Sequence, residues 1–163
     1  MTDLELRPLD ANDIAHVDWC LYTAVTWSPE REGIPPDAVL GHPQIVIFRE
    51  GWGRAGDVGV LATVDGERVG VAFGRVFTDA VHSAGYIDDR TPEIAIAVER
   101  AHRGRGIGRR LLDAVADAAR DNGFPALSLS VDDGNPAERL YARAGYDTVS
   151  RDDGDVVMIR RLG

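Results

Sequence analysis

The sequence predicts a mixed α/β (α+β) fold, in which a mostly antiparallel sheet of six to seven strands carries helices on both faces and contains one central pair of parallel strands. A short apolar run, Glu93 to Val98, leads through a long amphipathic helix to a second apolar run, Ala126 to Val131. A right-handed crossover of this kind joins parallel neighbours. Tight turns join two further pairs of strands, which makes those pairs antiparallel. The length of 163 residues, 44% of them hydrophobic, predicts one domain over residues 1–163.

The N-terminal segment begins with an alternating run, Leu4 to Pro8, which predicts the first strand. Apolar residues then recur at helical spacing up to Val25. Asp10 or Asn12 is in position to cap that helix, since a short polar side chain accepts a hydrogen bond from a free N–H group of the first turn.

The next segment is rich in proline and glycine, and Pro35-Pro36-Asp37 is typical of a helix start. The run from Gln44 to Gly51 is ambiguous, because its β-branched residues favour a strand. The family resemblance described below favours a helix there, and we predict a helix.

A β-hairpin follows, with strands from Asp57 to Val64 and from Arg68 to Phe77 around Asp65-Gly66. A loop, Thr78 to Pro92, leads to the strand that starts at Glu93.

The long helix starts at Ile107 and is stopped by Asn122-Gly123. After the strand from Ala126, a short helix spans Asn135 to Arg143. Two final strands, Tyr146 to Arg151 and Val156 to Arg160, pair through an Asp/Gly turn.

Composition excludes several classes of function. The net charge of −9 argues against nucleic-acid binding, which needs a basic face. The acidity either keeps the protein soluble or attracts a cationic partner.

No apolar stretch reaches membrane length, the start of the chain lacks the pattern of a signal peptide, and Cys20 is the single cysteine. We therefore expect a cytoplasmic protein. The histidines lack metal-ligand spacing, which predicts no metal.

The residues between the Glu93 strand and the long helix form what we call the Arg/Gly turn, Arg103 to Arg109. Helix N-termini carry positive partial charge and normally attract acidic residues, yet this one is surrounded by arginines. Its three glycines leave the backbone bare for another molecule. The combination predicts a site for a phosphate or pyrophosphate, and the alternative is a solvated basic turn.

Two common phosphate motifs fit poorly. The chain contains no lysine, so it has no P-loop. The dinucleotide pattern Gly-x-Gly-x-x-Gly fails because Arg109 stands where its third glycine should be. Asp132, at the end of the following strand, resembles the acid that binds a ribose, so dinucleotide binding stays an alternative.

Two sequence blocks resemble the GNAT superfamily of acetyl-CoA-dependent N-acetyltransferases. Arg103-Gly104-Arg105-Gly106-Ile107-Gly108 matches the signature Arg/Gln-x-x-Gly-x-Gly/Ala of that family. Asn135-Pro-Ala-Glu-Arg-Leu-Tyr141-Ala-Arg-Ala-Gly145-Tyr146 is similar to its Asn...Leu-Tyr-x-x-x-Gly-Phe/Tyr segment. The two blocks are separated by one helix and one strand, as in the family, and the likeness runs from Glu93 to Tyr146.

The resemblance implies a GNAT-like fold in which the two parallel strands splay apart and acetyl-CoA, the co-substrate, enters the gap. The backbone of Ile96, Ala97 and Val98 would pair with the pantetheine arm. The predicted cofactor-binding residues of the Arg/Gly turn are Arg103, Gly104, Arg105, Gly106, Ile107, Gly108 and Arg109. Asn135, at the start of the short helix, is a further candidate, and the alternative is that it only caps that helix.

The resemblance also implies catalytic roles for two side chains. Glu93, the only acid within the central strand, would take the proton of a primary amine, whose pKa near 10 keeps it charged at neutral pH. The alternative is a strand-end carboxylate paired with an arginine. Tyr141 would give a proton to the departing thiolate, or else only pack in the core. Some relatives carry a second glutamate where this chain has Ser130, which leaves Asp88 and Asp89 as substitute bases.

The sequence leaves the acceptor open among small molecules and peptides. Eight aromatic and acidic residues are candidates for its site, namely Trp19, Tyr22, Trp27, Trp52, Glu30, Glu32, Asp88 and Asp89. The alternative to an enzyme is a non-catalytic acyl-CoA-binding or sensor module on the same fold. A homodimer is common in the family.

Overall fold

The structure is a computed structural model that describes residues 3–163, and a single sheet forms its centre. Its strands are β1 Leu4–Pro8, β2 Val58–Val64, β3 Glu67–Arg75, β4 Glu93–Val98, β5 Ala126–Asp132, β6 Asp147–Asp152 and β7 Asp155–Arg161. The seven strands lie in the order β1-β2-β3-β4-β5-β7-β6. Every neighbouring pair is antiparallel except β4 and β5. The predicted fold class is therefore confirmed.

Helices lie on both sides of this sheet. They are α1 Ile14–Val25, α2 Pro36–Leu40, α3 Pro43–Arg49, α4 Ile107–Asp121 and α5 Ala137–Arg143, with short 3-10 turns at Pro29–Arg31 and Arg100–His102. The predicted helix after Gln44 is confirmed as α3. Within residues 3–163, the helices are all too short or too polar to span a bilayer.

The start of α1 differs from the expectation. The helix begins directly after Asp13, and neither Asp10 nor Asn12 caps it. The Asp13 carboxylate instead forms a paired hydrogen bond with Arg7, at 2.9 Å for each contact. A bidentate contact with arginine is stronger than a neutral cap, so the carboxylate faces β1 rather than the helix.

The β2–β3 hairpin turns at Asp65-Gly66, as predicted. Both residues have positive φ angles, 53° and 79°. Two such residues in succession define the turn whose twist matches that of the flanking strands.

Two apolar cores hold the layers together. On one face, α4 buries Leu111, Leu112 and Val115 against the sheet. On the other face, α1 and α3 bury Val17 and Phe48, among others, against β3 and β4. The central strands are thus covered on both sides, which explains their continuous apolar sequences.

The feature that creates the site is the separation of β4 from β5. Their parallel pairing has a single rung, between Glu93 and Ser128. Beyond it, β4 stays paired with β3 as far as Val98, and β5 stays paired with β7 as far as Asp132. Each strand follows its antiparallel partner, and a gap opens between them.

Candidate active site

The gap between β4 and β5 opens into a cavity of about 1370 Å³. Its walls come from β4, from the Arg/Gly turn and the start of α4, from α5, from the end of β5, and from the segment that follows α1. Pockets for one small ligand are usually about 300–1,000 Å³, so this cavity has room for two substrates.

The Arg/Gly turn presents bare backbone to the cavity. Gly104 and Gly106 have φ angles of 79° and 81°, which residues with a side chain rarely adopt. A Cβ at either position would meet no atom within 4 Å, so both glycines are open to the outside. Within the described residues, the N–H groups from Gly104 to Arg109 have no hydrogen-bond acceptor. Consecutive free N–H groups at a helix start form an anion-binding nest.

Gly108 has a different role from the other two glycines of the turn. It lies in α4 and lines the cavity, but a Cβ there would lie 2.9 Å from Cδ2 of Leu140 in α5. Besides lining the cavity, Gly108 therefore lets α4 and α5 approach each other.

The predicted arginines divide into three cases. Nε of Arg103 donates to the carbonyl oxygen of Val98 at 3.2 Å, and Arg103 lines the cavity. Arg109 also lines it, but its Nε contacts Asp113 and its Nη1 donates to Arg143 O at 3.0 Å. Arg105 is exposed and lies outside the cavity wall. The turn is basic, yet the backbone is its most available donor.

The other predicted cofactor-binding residues also line the cavity. Ile96, Ala97, Val98 and Ile107 line the cavity, and β4 presents a free edge there. Asn135 lines it as well, and its Oδ1 accepts a hydrogen bond from the N–H group of Ala137 at 2.9 Å. That bond satisfies a free donor at the start of α5.

Glu93 lies at the closed end of the gap and is 2% exposed. Its Oε2 accepts a hydrogen bond from the N–H group of Gly85 at 3.1 Å, whereas its buried Oε1 has no partner among the described residues. Burial raises the pKa of the carboxyl to about 7. The alternative of an arginine-paired carboxylate is wrong, because no arginine contacts it within residues 3–163.

Two residues that the sequence did not single out hold Glu93 in place. A Cβ at Gly85 would lie 2.6 Å from Oε2 of Glu93, so the carboxylate needs a glycine there. Oγ of Ser128 donates to the carbonyl oxygen of Gly85 at 2.6 Å and anchors that loop on β5. The sequence carries no signal for this contact, since the three residues meet only after the sheet forms.

Tyr141 lines the cavity from α5 and is partly buried. Its ring packs edge-on against Tyr146, with centroids 6.2 Å apart, and burial raises the pKa of its phenol above the usual value. Tyr141 packs with the core on the α4 face. Glu93 points to the same face of β4 as Ala95 and Ala97, which pack against the α1 core. The two side chains therefore approach the gap from opposite faces of the sheet.

Most of the predicted acceptor-site residues lie elsewhere. Trp27 lines the cavity, but the ring of Trp19 stacks on Arg68, and Trp52 donates to the carbonyl oxygen of Asp10. Tyr22 donates to Ile34 O. The four predicted acids are exposed and outside the cavity wall, namely Glu30, Glu32, Asp88 and Asp89. Asp88 and Asp89 are thus poor substitutes for a base.

Asp132 does not stand free for a ribose. Its Oδ2 accepts hydrogen bonds from Nε1 of Trp27 at 2.7 Å and from Nη1 of Arg31 at 2.9 Å. The carboxylate joins the segment after α1 to the end of β5, which removes the observation that favoured dinucleotide binding.

A sheet that opens between two parallel strands, beside a nest of free N–H groups at a helix start, is the architecture of an acyl-CoA-dependent transferase. Residues 19–146 match the Acetyltransferase (GNAT) family, and the chain belongs to that family. It is an N-acetyltransferase with acetyl-CoA as its co-substrate.

Individual relatives agree with this assignment. Streptothricin acetyltransferase from Streptomyces lavendulae is 30% identical over 159 residues, which cover 86% of this chain and 78% of the relative. The structure of yncA, a putative acetyltransferase from Salmonella typhimurium with its cofactor acetyl-CoA, superimposes with a TM-score of 0.70 at 20% identity and covers 99% of this chain and 95% of its own. The GNAT domain of PAT from S. lividans superimposes with a TM-score of 0.69 at 23% identity, and the match covers 97% of this chain and 90% of that domain.

Proposed function

We propose that this N-acetyltransferase transfers the acetyl group from acetyl-CoA directly to a primary amine while both substrates are bound, with Glu93 as the base and Tyr141 as the acid. The observation that carries the proposal is the buried carboxylate of Glu93 in the cavity wall, whose Oε1 has no hydrogen-bond partner among the described residues. A buried acceptor without a partner is destabilising, and a water molecule or an amine at that atom would satisfy it.

The carboxylate is suited to removing a proton from an ammonium group. A pKa of about 7 lets Glu93 bind a proton at one stage and release it at another near neutral pH. In the proposed step an ammonium proton passes to Glu93 through water, and the amine nitrogen bonds to the acetyl carbon. The carbon–sulfur bond breaks, the thiolate takes the proton of Tyr141, and the second proton that the nitrogen loses as the amide forms returns to the Tyr141 phenolate.

The binding of acetyl-CoA is proposed to use backbone more than side chains. The nest from Gly104 to Arg109 would hold the pyrophosphate, with Arg103 close by. The free edge of Ile96, Ala97 and Val98 would pair with the pantetheine arm. An N–H group near Val98 would then face the thioester carbonyl oxygen.

Thiol release from acetyl-CoA in the presence of primary amines tests the proposal. For a weakly basic amine that is neutral throughout, kcat/KM of the wild type should rise with pH and level off above about 7, as Glu93 loses its proton. Glu93→Gln should lower kcat by about 10² to 10⁴ and lose that rise.

The matched control is Glu99→Gln, which removes an acid just beyond the other end of β4, outside the cavity wall. It should keep both the rate and the pH profile. A Glu93→Gln enzyme as fast as the wild type at saturating amine would show that Glu93 is not the base. Acetyl-CoA binding without thiol release across a broad amine panel would favour a sensor instead.

We also propose that residues 1–163 work as one N-acetyltransferase domain, since the elements that line the cavity surround a single sheet. A location in the cytoplasm stays a prediction. A homodimer stays a prediction, and light scattering of the purified chain measures it.

A further inference from the structure

One end of the cavity carries carboxylates that the acetyl-transfer step does not use. Asp132 ends β5 and Asp155 begins β7, and the two are direct partners in the antiparallel register. Directly opposite residues point to the same face of a sheet, with Cβ atoms about 5 Å apart. Both residues line the cavity.

This acidic pair lies on the same face of the sheet as Glu93. Ser128, on the rung of Glu93, reaches the Gly85 loop, which also contacts Glu93. Asp132 is four residues further along β5 and therefore points to the same face as Ser128, at about 13 Å along the strand. The indole of Trp27 and the guanidinium of Arg31 both contact Asp132. Both residues come from the segment after α1, so these contacts also place the Asp132 side chain on the α1 face of the sheet.

The local charge is negative. Arg31 and Trp27 both bind Oδ2 of Asp132. Within residues 3–163, Oδ1 of Asp132 and the carboxylate of Asp155 have no hydrogen bond or ion pair. Among the arginines of the cavity wall, Arg31 is thus the one beside these two carboxylates, and the others lie at the Arg/Gly turn and in α5.

The environment of Asp155 also favours a cation. Partial burial, followed by the negative charges of Asp132 and Asp153, raises the pKa of the Asp155 carboxyl. A cation beside it would relieve that repulsion. Trp27 adds an aromatic ring to the same wall, and aromatic faces attract ammonium groups.

We propose that the wall formed by Trp27, Asp132 and Asp155 binds a second cationic nitrogen of the acceptor, while the first nitrogen is acetylated beside Glu93. The inference rests on the proposed function and names its acceptor class: a diamine or longer polyamine. The reacting nitrogen stands about one water molecule away from Glu93, so the two nitrogens are on the order of 10 Å apart in the extended acceptor.

The test compares α,ω-diamines of increasing length with amino alcohols of the same length, in which a hydroxyl replaces the second amine. The wild type should prefer the best diamine by about tenfold or more in kcat/KM, the factor that one hydrogen bond to a charged group supplies. Asp155→Asn should reduce that preference to near unity, mainly through KM.

The matched variant is Asp153→Asn, which removes the same charge two residues away. Asp153 lies in the exposed turn, outside the cavity wall, and its φ of 51° is one that asparagine tolerates. It should keep the preference for the diamine. Melting temperatures of both variants should match or exceed that of the wild type, because each substitution removes repulsion.

The outcomes separate this inference from the proposed function. Thiol release with no preference for diamines, or equal loss in Asp155→Asn and Asp153→Asn, would overturn the second-nitrogen site and leave acetyl transfer standing. A preference for ω-amino acids would overturn it as well, and would indicate that Arg31 binds the carboxylate of the acceptor. No thiol release with any amine would overturn both. Calorimetry with an unreactive bis-quaternary diammonium gives a readout without turnover, in which binding should weaken about tenfold in Asp155→Asn.

Discussion

At the scale of single residues, burial gives two ordinary side chains unusual chemistry. The carboxyl of Glu93 is buried and accepts a hydrogen bond from the N–H group of Gly85, and burial outweighs that bond, so its pKa moves toward neutrality. The phenol of Tyr141 stays protonated for the same reason and remains available as a proton donor.

Replacing Tyr141 by phenylalanine tests the donor. Tyr141→Phe should lower kcat by about 10² or more while the Kd for acetyl-CoA changes little, because the hydroxyl acts on the leaving thiolate and the ring still packs. Stopped-flow thiol release and calorimetry measure the two quantities.

Tyr146 provides the control. Its ring lies against Tyr141, it is buried, and its hydroxyl has no partner within the described residues. Tyr146→Phe should keep the rate and hold or raise the melting temperature, since it removes an unsatisfied hydroxyl. Equal rates in Tyr141→Phe and the wild type would exclude Tyr141 from proton transfer.

At the scale of elements, a buried ion pair joins α3 to the sheet. Arg75 of β3 is 0% exposed, contacts both oxygens of Asp57, and donates to the carbonyl oxygens of Ile47 and Glu50 at the end of α3. These contacts fix the layer that supports β4 from the α1 side.

Arg75→Met should lower the free energy of unfolding by about 3–5 kcal/mol, because Asp57 would remain buried and charged without its partner. Urea denaturation measures the loss, and adding Asp57→Asn should recover part of it. Arg151→Met, which breaks an exposed pair with Glu138, should have little effect. Similar losses in both single variants would show that burial does not set the strength of the Arg75 pair.

The Arg/Gly turn allows a separate test of backbone shape. Gly106→Ala forces a side chain into a left-handed conformation, which costs about 1–2 kcal/mol, and places a methyl group over the nest. Its affinity for acetyl-CoA should fall about tenfold or more.

Gly66→Ala in the β2–β3 turn is the matched control, since Gly66 has a φ of 79° and equally open space. It should lose similar stability and keep the affinity for acetyl-CoA. Equal affinities in the two variants would mean that the nest does not hold the cofactor.

At the scale of the whole molecule, the buried Glu93 sets part of the dependence of stability on pH. Its pKa in the folded protein, about 7, lies above its usual 4.5. The folded state thus holds the proton more tightly, and this contribution is complete below pH 4.5 and lost as the pH rises through 7. The loss amounts to about 3 kcal/mol.

Glu93→Gln lacks this titration. As the pH rises from 5 to 8, the free energy of unfolding of the variant should therefore increase relative to that of the wild type by up to about 3 kcal/mol. Urea titrations at each pH measure the difference. Burial also lowers the pKa of His16, but that group contributes equally to both proteins. A constant difference would show that Glu93 is ionised throughout.

The sequence alone determined the order of the elements, the Asp65-Gly66 turn and the parallel strand pair, because each depends on local pattern. It also indicated the Arg/Gly turn, where the glycines at 104 and 106 permit the positive φ angles that the structure shows. The resemblance to the family also gave Glu93 and Tyr141 candidate roles before any contact was known.

Only the tertiary structure decided which side chains share the cavity. Gly85 and Ser128 reach Glu93 through a loop and a strand that are distant in sequence, and Asp132 meets Trp27 and Arg31 across more than a hundred residues. The burial that raises the pKa of Glu93 comes from the packed layers around β4. Such contacts depend on how strands separate and helices pack, and no local pattern in the sequence encodes that geometry.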